Sequence, residues 1–332
     1  MTTKPLAQEF LFQRIRELLP PQYSLADTVS EILHVSNDSA YRRIRNETPL
    51  LFEEAKLLCD HFKLSLDQLF QVNNNSVLFQ SINLESMTNG FDNYLKGILY
   101  QLKGAAESAQ SEIIYLTKDC PLFHNFAFQP LFAFRYFFWM KTILRNAEFQ
   151  DEAFNFSALP AATQALGQEI SKLYNNITST EIWNTECMNS SILQIEYYKD
   201  AGYFSSASDI RAIYEALEET IHHLKRQAEI GVKFLPGENY KMKKKNYQFF
   251  YNRIILGDNT ILLLNEQGKT IYLNYDVLNY MITRDIQFCN HAHLEMENLM
   301  KRSTLISETS EKQRNIFFGI LLAKVIDRKK NL

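Results

Sequence analysis

Three arginines fall within four positions of the sequence, Arg42, Arg43 and Arg45, directly after the polar run Ser36, Asn37, Asp38 and Ser39. A guanidinium is a flat fork of donors that matches a phosphate, or the edge of a guanine, two hydrogen bonds at a time. A serine or asparagine ahead of a helix caps its first amides and turns that end toward anions. These seven residues are therefore the candidates for contact with a nucleic acid. They offer recognition of a polyanion, not the making or breaking of covalent bonds.

A second constellation lies at residues 123–139, where nine Phe, Tyr or Trp residues crowd around Arg135, with Lys141 just beyond. Aromatic side chains dominate cores, so a core is the plain reading. The sharper one is an apolar effector pocket with Arg135 and Lys141 as anion partners. An arginine in such a run reaches solvent, pairs with an internal carboxylate or finds an anionic ligand. Cys289, His291 and His293 have metal-ligand types, but on a helix His291 points away from the other two, so no metal is expected. His222 and His223 read as surface positions, and Lys241, Lys243, Lys244 and Lys245 as a solvated basic loop. The sequence carries no P-loop, dinucleotide fingerprint, His-Glu-x-x-His, Gly-x-Ser-x-Gly or EF-hand loop. Neither a cofactor nor an enzymatic activity is expected.

The elements that must position these residues belong to a chain of 332 residues, a length that suggests about two domains of roughly 100–200 residues each. Hydrophobic residues at 46% exclude disorder as the dominant state, and ten glycines with eight prolines disfavour loop-dominated designs. Net charge is −3, so no global positive field advertises nucleic-acid binding and any such site must be local. Four scattered cysteines read as free thiols of a reducing compartment. The N-terminus shows no secretory pattern, and the most apolar stretch is interrupted by Gln129, Pro130, Arg135 and Lys141. A cytoplasmic protein with no membrane partner is expected.

Local patterning divides the chain. Residues 5–70 read as short helices, and the polar run Gln71 to Ser76 breaks the pattern. Ser24 with Asp27 starts one helix, whose apolar face is Leu25, Val29, Ile32 and Leu33. His34-Val35-Ser36 breaks it, and Ser36 or Asn37 caps a second helix running to about Arg45. With Ala40 and Ile44 inward, Arg42 lies nearly opposite, which makes the pair a helix-turn-helix. Further on, 76–82 and 112–116 read as strands, and 87–107, 130–145, 161–175, 207–230, 286–301 and 308–327 as helices. Residues 246–275 alternate with period two in three runs separated by Gly257-Asp258-Asn259 and by 266–269, which predicts a three-stranded meander. In 207–230, Ile210, Tyr214, Leu217, Ile221, Leu224 and Ala228 form a short heptad seam, either a core helix or a dimer interface.

The stretch from Tyr23 to Phe70 resembles the lambda-repressor/Cro-like, or XRE-type, family of helix-turn-helix regulators. The carrying residues are the Val35-Ser36 turn, the helix NDSAYRRIR, Pro49, and the closing pattern Phe62, Leu64, Ser65, Leu66, Asp67, Leu69 and Phe70. His34 stands where the family usually has Gly, and Ser30 where it has Ala. Spacing after Ser36 is one residue longer than usual, which leaves the inward position open between Ala40 and Tyr41. The resemblance covers about 65 residues, one small domain.

Together these readings predict an all-α helix-turn-helix domain over 1–71 and a larger α+β domain over 77–332 that senses a ligand, dimerises, or both. The expected protein is a homodimeric bacterial-type transcriptional regulator of double-stranded DNA with a small-molecule effector. Arg42 would read a base, assisted by Ser39 and Arg45. Arg43 and the amides near Ser36 would hold phosphate. The rival is a protein-interaction module whose helix-turn-helix no longer binds DNA. Residues 1–71 permit it, because their 8 Lys/Arg and 10 Asp/Glu leave that segment acidic.

Overall fold

The computed structural model describes residues 7–19, 23–62, 64, 77–82, 90–108, 110–254, 257–330 and 332. Among them are twelve α-helices and one eight-stranded mixed sheet. The chain divides into two compact units, Met1–Leu78 and Phe79–Leu332. The expected linker at 71–76 and the closing pattern at 65–70 lie outside the described residues.

The smaller unit holds helices α1 (Ala7–Leu18), α2 (Leu25–Leu33), α3 (Asn37–Ile44) and α4 (Phe52–Phe62). Their apolar faces meet in one core built on Leu11, Phe12, Ile15, Val29, Leu33, Ala40 and Leu58. Helix α2 begins where Ser24 Oγ accepts from the Asp27 amide, and ends at His34 in the left-handed region (φ 53°). That conformation costs a histidine less than a β-branched residue, so the turn closes without the glycine. Ser30 Oγ then donates to the Val35 carbonyl (2.8 Å) and steadies the turn. Gln8 ties the far end together, donating to the carbonyls of Arg43 (2.7 Å) and Thr48 (2.9 Å).

In the larger unit the elements run β1 (Gln80–Ile82), α5 (Gly90–Glu107), β2 (Glu112–Leu116), α6 (Leu122–Asn125) and α7 (Gln129–Phe138). There follow α8 (Ala161–Asn176), β3 (Thr178–Trp183), α9 (Asn189–Asp200), α10 (Ala207–Ile230) and β4 (Tyr247–Tyr251). The chain then continues through β5 (Thr260–Asn265), β6 (Gly268–Asn274), β7 (Tyr280–Thr283), α11 (Ile286–Lys301), β8 (Thr304–Leu305) and α12 (Glu311–Lys330). Strand order is β1-β7-β6-β5-β2-β3-β4-β8, with β2, β3 and β4 parallel and every other pairing antiparallel. Alternate residues of β2 face opposite ways. Ile113 and Tyr115 enter the main core with the helices, whereas Ile114 packs with Leu262, Ile271, Cys289 and Met296 beneath α11.

Two sequence expectations change here. The three strands of 246–275 exist, but they do not form a meander: β2 and β3 lie between β4 and β5. Gly257-Asp258-Asn259 is accordingly no hairpin turn; Asn259 Oδ1 accepts the amides of Lys118 (2.7 Å) and Asp119 (3.2 Å) at the end of β2. The actual meander is β5-β6-β7. Helix α7 ends at Phe138 and continues as a π turn over Trp139–Ile143 instead of running on to 145.

All six residues of the heptad seam on α10 are buried in this chain's own core. The helix starts at the Ser206 cap and stops at Gly231 (φ 68°), whose added Cβ would meet Glu308. Fully burying a leucine or isoleucine is worth about 1.5–3 kcal/mol, and this face is spent internally.

Candidate functional site

Helix α3 presents its residues in two classes. Ser36 caps it, accepting from the Ser39 amide (3.3 Å), and the two hydroxyls are 3.0 Å apart. Ala40 is wholly buried while Tyr41 is 48% exposed, so Ala40 is the inward residue. Arg42 and Arg45 stand out, 61% and 68% exposed, in long contact with Asp38 (3.4 Å) and Glu47 (4.0 Å), and the Arg45 guanidinium lies 5.7 Å from the centre of the Tyr41 ring. Asn37 donates to Asp27 Oδ1 (2.8 Å), tying the start of α3 to α2.

Arg43 behaves differently. Its Nε and Nη2 donate to Glu54 Oε2 (3.0 Å) and Oε1 (2.7 Å), and Nη1 to the Ser39 carbonyl (3.2 Å). The two side chains are 15% and 14% exposed. A two-pronged pair at this burial fixes α3 against α4, so Arg43's fork is committed inside the unit. Glu54 in turn is held below the ordinary carboxylate range, chiefly by the hydrogen bond from Arg43.

The larger unit contains a cavity of about 170 Å³ between the face of β2, β5 and β6 and helices α5, α6 and α7. Most of its wall is apolar or aromatic, including Tyr94, Ile113, Tyr115, Phe123, Trp139 and Leu263. One part is polar, formed by Arg135, Gln194, Ser190, Asp119 and Asn125. Arg135 is 5% exposed. Its Nη1 donates to Gln194 Oε1 and its Nη2 to Ser191 Oγ, both neutral, and its buried Nε has no partner. Burial pushes its pKa down. Among the described residues no carboxylate lies within ion-pair distance of it.

Lys141 is not part of this cavity. Its ammonium donates to the carbonyls of Phe149 (2.8 Å), Gln150 and Glu152 (3.0 Å), and lies 4.6 Å from the centre of the Tyr203 ring. Three protons meet three acceptors, which makes Lys141 a clamp on the loop after the π turn. Of the aromatic segment 123–139, most rings are buried core, and only Phe123 and Trp139 also line the cavity.

A third arrangement gave little sign in the sequence. Glu181 on β3 is fully buried. Its Oε1 accepts from His124 Nε2 (2.9 Å) and Tyr174 Oη, and its Oε2 from Trp183 Nε1 (2.8 Å) and Tyr247 Oη (2.8 Å). Four donors fill the roughly four lone-pair sites of a carboxylate. Burial pushes the Glu181 pKa up, but His124, Tyr174 and Lys233 more than offset this and hold it at about 2. Lys233, equally buried, donates to the Tyr174 carbonyl (2.6 Å), and burial pushes it down to about 7 against the pull of Glu181. The only hint was a glutamate inside the strand-like run TSTEIW.

The remaining candidates are dispersed. Cys289 is buried, His293 Nδ1 meets Lys269 Nζ (2.8 Å), and no metal-binding group of His, Cys, Asp and Glu occurs among the described residues. His223 is not a surface position: its Nε2 donates to the Phe234 carbonyl (2.8 Å) and burial lowers its pKa. Within the basic run, Lys243 pairs with Glu238 (2.8 Å) and Lys245 with Glu308. Among the described residues no helix is long and apolar enough to cross a membrane. No family model, curated protein or solved structure matches the chain.

Proposed function

We propose that the chain is a sequence-specific DNA-binding regulator whose smaller unit recognises duplex DNA through α3, while its larger unit senses a small molecule, dimerises, or both. The observation that carries this reading is the division of α3. Ala40 is buried, Ser36 caps the N-terminus, and Arg42 and Arg45 project to solvent with only exposed, long-range ion pairs. Together with the short α2–α3 turn, this is what a helix-turn-helix requires of its second helix. Arg42 reads a guanine edge, Ser39 and Arg45 assist, and the amides after Ser36 face phosphate. Arg43 passes from phosphate contact to positioning, because Glu54 holds it. Asp38 releases Arg42 when DNA arrives, an exchange their 3.4 Å contact makes easy.

Selection from random duplexes on the full-length chain, at low and moderate salt, tests the reading. A recovered consensus is expected, with two half-sites if the protein binds as a homodimer. Arg42→Ala should then weaken the selected site by about 1–3 kcal/mol and relax one base pair. Failure to enrich any sequence at low salt overturns the proposal. A second reading has its own support: Leu51 and Phe52, adjacent at the start of α4, are 62% and 70% exposed. An apolar pair on an acidic unit suits a protein partner, and loss of a copurifying protein on Phe52→Ser would favour that rival.

A further inference from the structure

Arg135 and Arg314 are both buried with an unpartnered Nε, and of the two only Arg135 lines the cavity. A buried charge is normally paired, because removing an ion from water costs several kcal/mol. Among the described residues Arg135 has only Gln194 and Ser191, each accepting one bond, so three of the five N–H donors of a guanidinium have no acceptor there. One of these is Nε, which is buried and unpartnered. Asn125 Oδ1, on the same wall, is also buried without a partner. Orphaned polar atoms on residues that line a cavity call for an explanation, and a ligand seated in that cavity supplies one.

Size and lining narrow the ligand. An apolar cavity of about 150 Å³ holds a benzene ring. This one has about 170 Å³, room for a single ring bearing a small polar group. Aromatic side chains line it from both layers, with Tyr115 on the sheet and Tyr94 on α5. Neither hydroxyl makes a hydrogen bond to a described residue, and the rings offer a flat guest edge-to-face or offset-stacked contact. A guanidinium fork selects a carboxylate, since two parallel N–H bonds match its two oxygens. Asp119 also lines the polar end, but its Oδ1 already accepts from Ser190 Oγ.

We infer that the cavity binds a small aromatic monocarboxylate, with the carboxylate on Arg135 and the ring between Tyr94, Tyr115, Phe123 and Trp139. The inference rests on the sensing role of the larger unit but not on DNA recognition. Titration calorimetry of the full-length chain without DNA tests it, using benzoate and phenylacetate against hexanoate, benzyl alcohol, benzylamine, L-phenylalanine and inorganic phosphate.

Benzoate or phenylacetate should bind at least about tenfold tighter than benzyl alcohol, the minimum expected of a charge-assisted pair. Arg135→Gln should remove that margin while leaving benzyl alcohol within about twofold. Should Arg135→Gln fail to fold, Ala105→Leu, which fills the cavity wall without touching charge, should abolish all aryl binding. The assignment is overturned if no probe binds, or if hexanoate, phosphate or benzylamine binds as tightly as benzoate. It is overturned equally if L-phenylalanine binds tighter than phenylacetate, which would name a zwitterion paired with Asp119. Benzoate binding that leaves DNA affinity unchanged would uphold the site and overturn its role in sensing.

Discussion

The larger unit buries Glu181 and Arg135 in opposite ways. Around Glu181 every lone pair has a donor, drawn from His124, Tyr174, Trp183 and Tyr247. Around Arg135, among the described residues, two neutral acceptors serve five N–H groups, and the side chain lines a cavity. The first arrangement is closed and has no room for a guest; the second is incomplete without one. A satisfied buried charge holds a fold in one packing, whereas an unsatisfied one marks a place where free energy is still to be gained by binding. The smaller unit repeats the contrast on one helix: Arg43 is locked by Glu54, and Arg42, one position before it, is left facing solvent.

The most severe test of this contrast is Glu181→Gln. The amide carries two protons into a point where four donors converge, so the variant should lose about 3–5 kcal/mol of stability in denaturant unfolding. A loss below about 1 kcal/mol would show that the cluster does not hold the core. Acid titration comes next in size. The folded pKa of about 2 lies below the roughly 4.3 of an unfolded glutamate, so stability from Glu181 is complete above about pH 4.3 and is lost as pH falls toward 2, by ~3 kcal/mol. Lys233 acts at the other end of the scale. Its folded value near 7 lies below the roughly 10.4 of the unfolded chain, so the unfolded state holds the extra proton and stability rises between about pH 7 and 10. Lys233→Met should flatten that rise, and a slope unchanged by the variant would assign it to other groups.

In the smaller unit, Arg43→Ala should cost about 1–2 kcal/mol of stability through the lost pair with Glu54, while Arg42→Ala changes stability by less than about 0.5 kcal/mol. Thermal unfolding of the two variants side by side measures this. Equal losses would erase the distinction between positioning and contact drawn on α3. The smallest effect belongs to Arg135→Met. Removing a buried cation with no carboxylate at ion-pair distance among the described residues should change stability by less than about 1 kcal/mol, and in the favourable direction. A loss comparable to that of Glu181→Gln would mean that Gln194 and Ser191 satisfy the guanidinium after all.

Elements whose determinants lie within a few residues were legible in the sequence. Ser24 and Ser36 each cap a helix whose first amide contact is three residues on, and 207–230 and 286–301 run between the expected ends. The individual strands at 247–251, 260–265 and 268–274 were legible too, because alternation is a local property. Their neighbours were not. A strand's pattern states which face is apolar but not which other strand lies beside it, so the insertion of β2 and β3 between β4 and β5 had no local signature. The same limit applied to charge. Glu54 lies 11 residues from Arg43 in sequence, and the donors to Glu181 come from positions as distant as 124 and 247. Sequence alone determined that Arg42, Arg43 and Arg45 cluster on one helix and that Arg135 enters an apolar run. Tertiary structure alone decided which of them is paired, because pairing depends on the side chains that packing brings within about 3 Å, and packing joins residues that the chain keeps far apart.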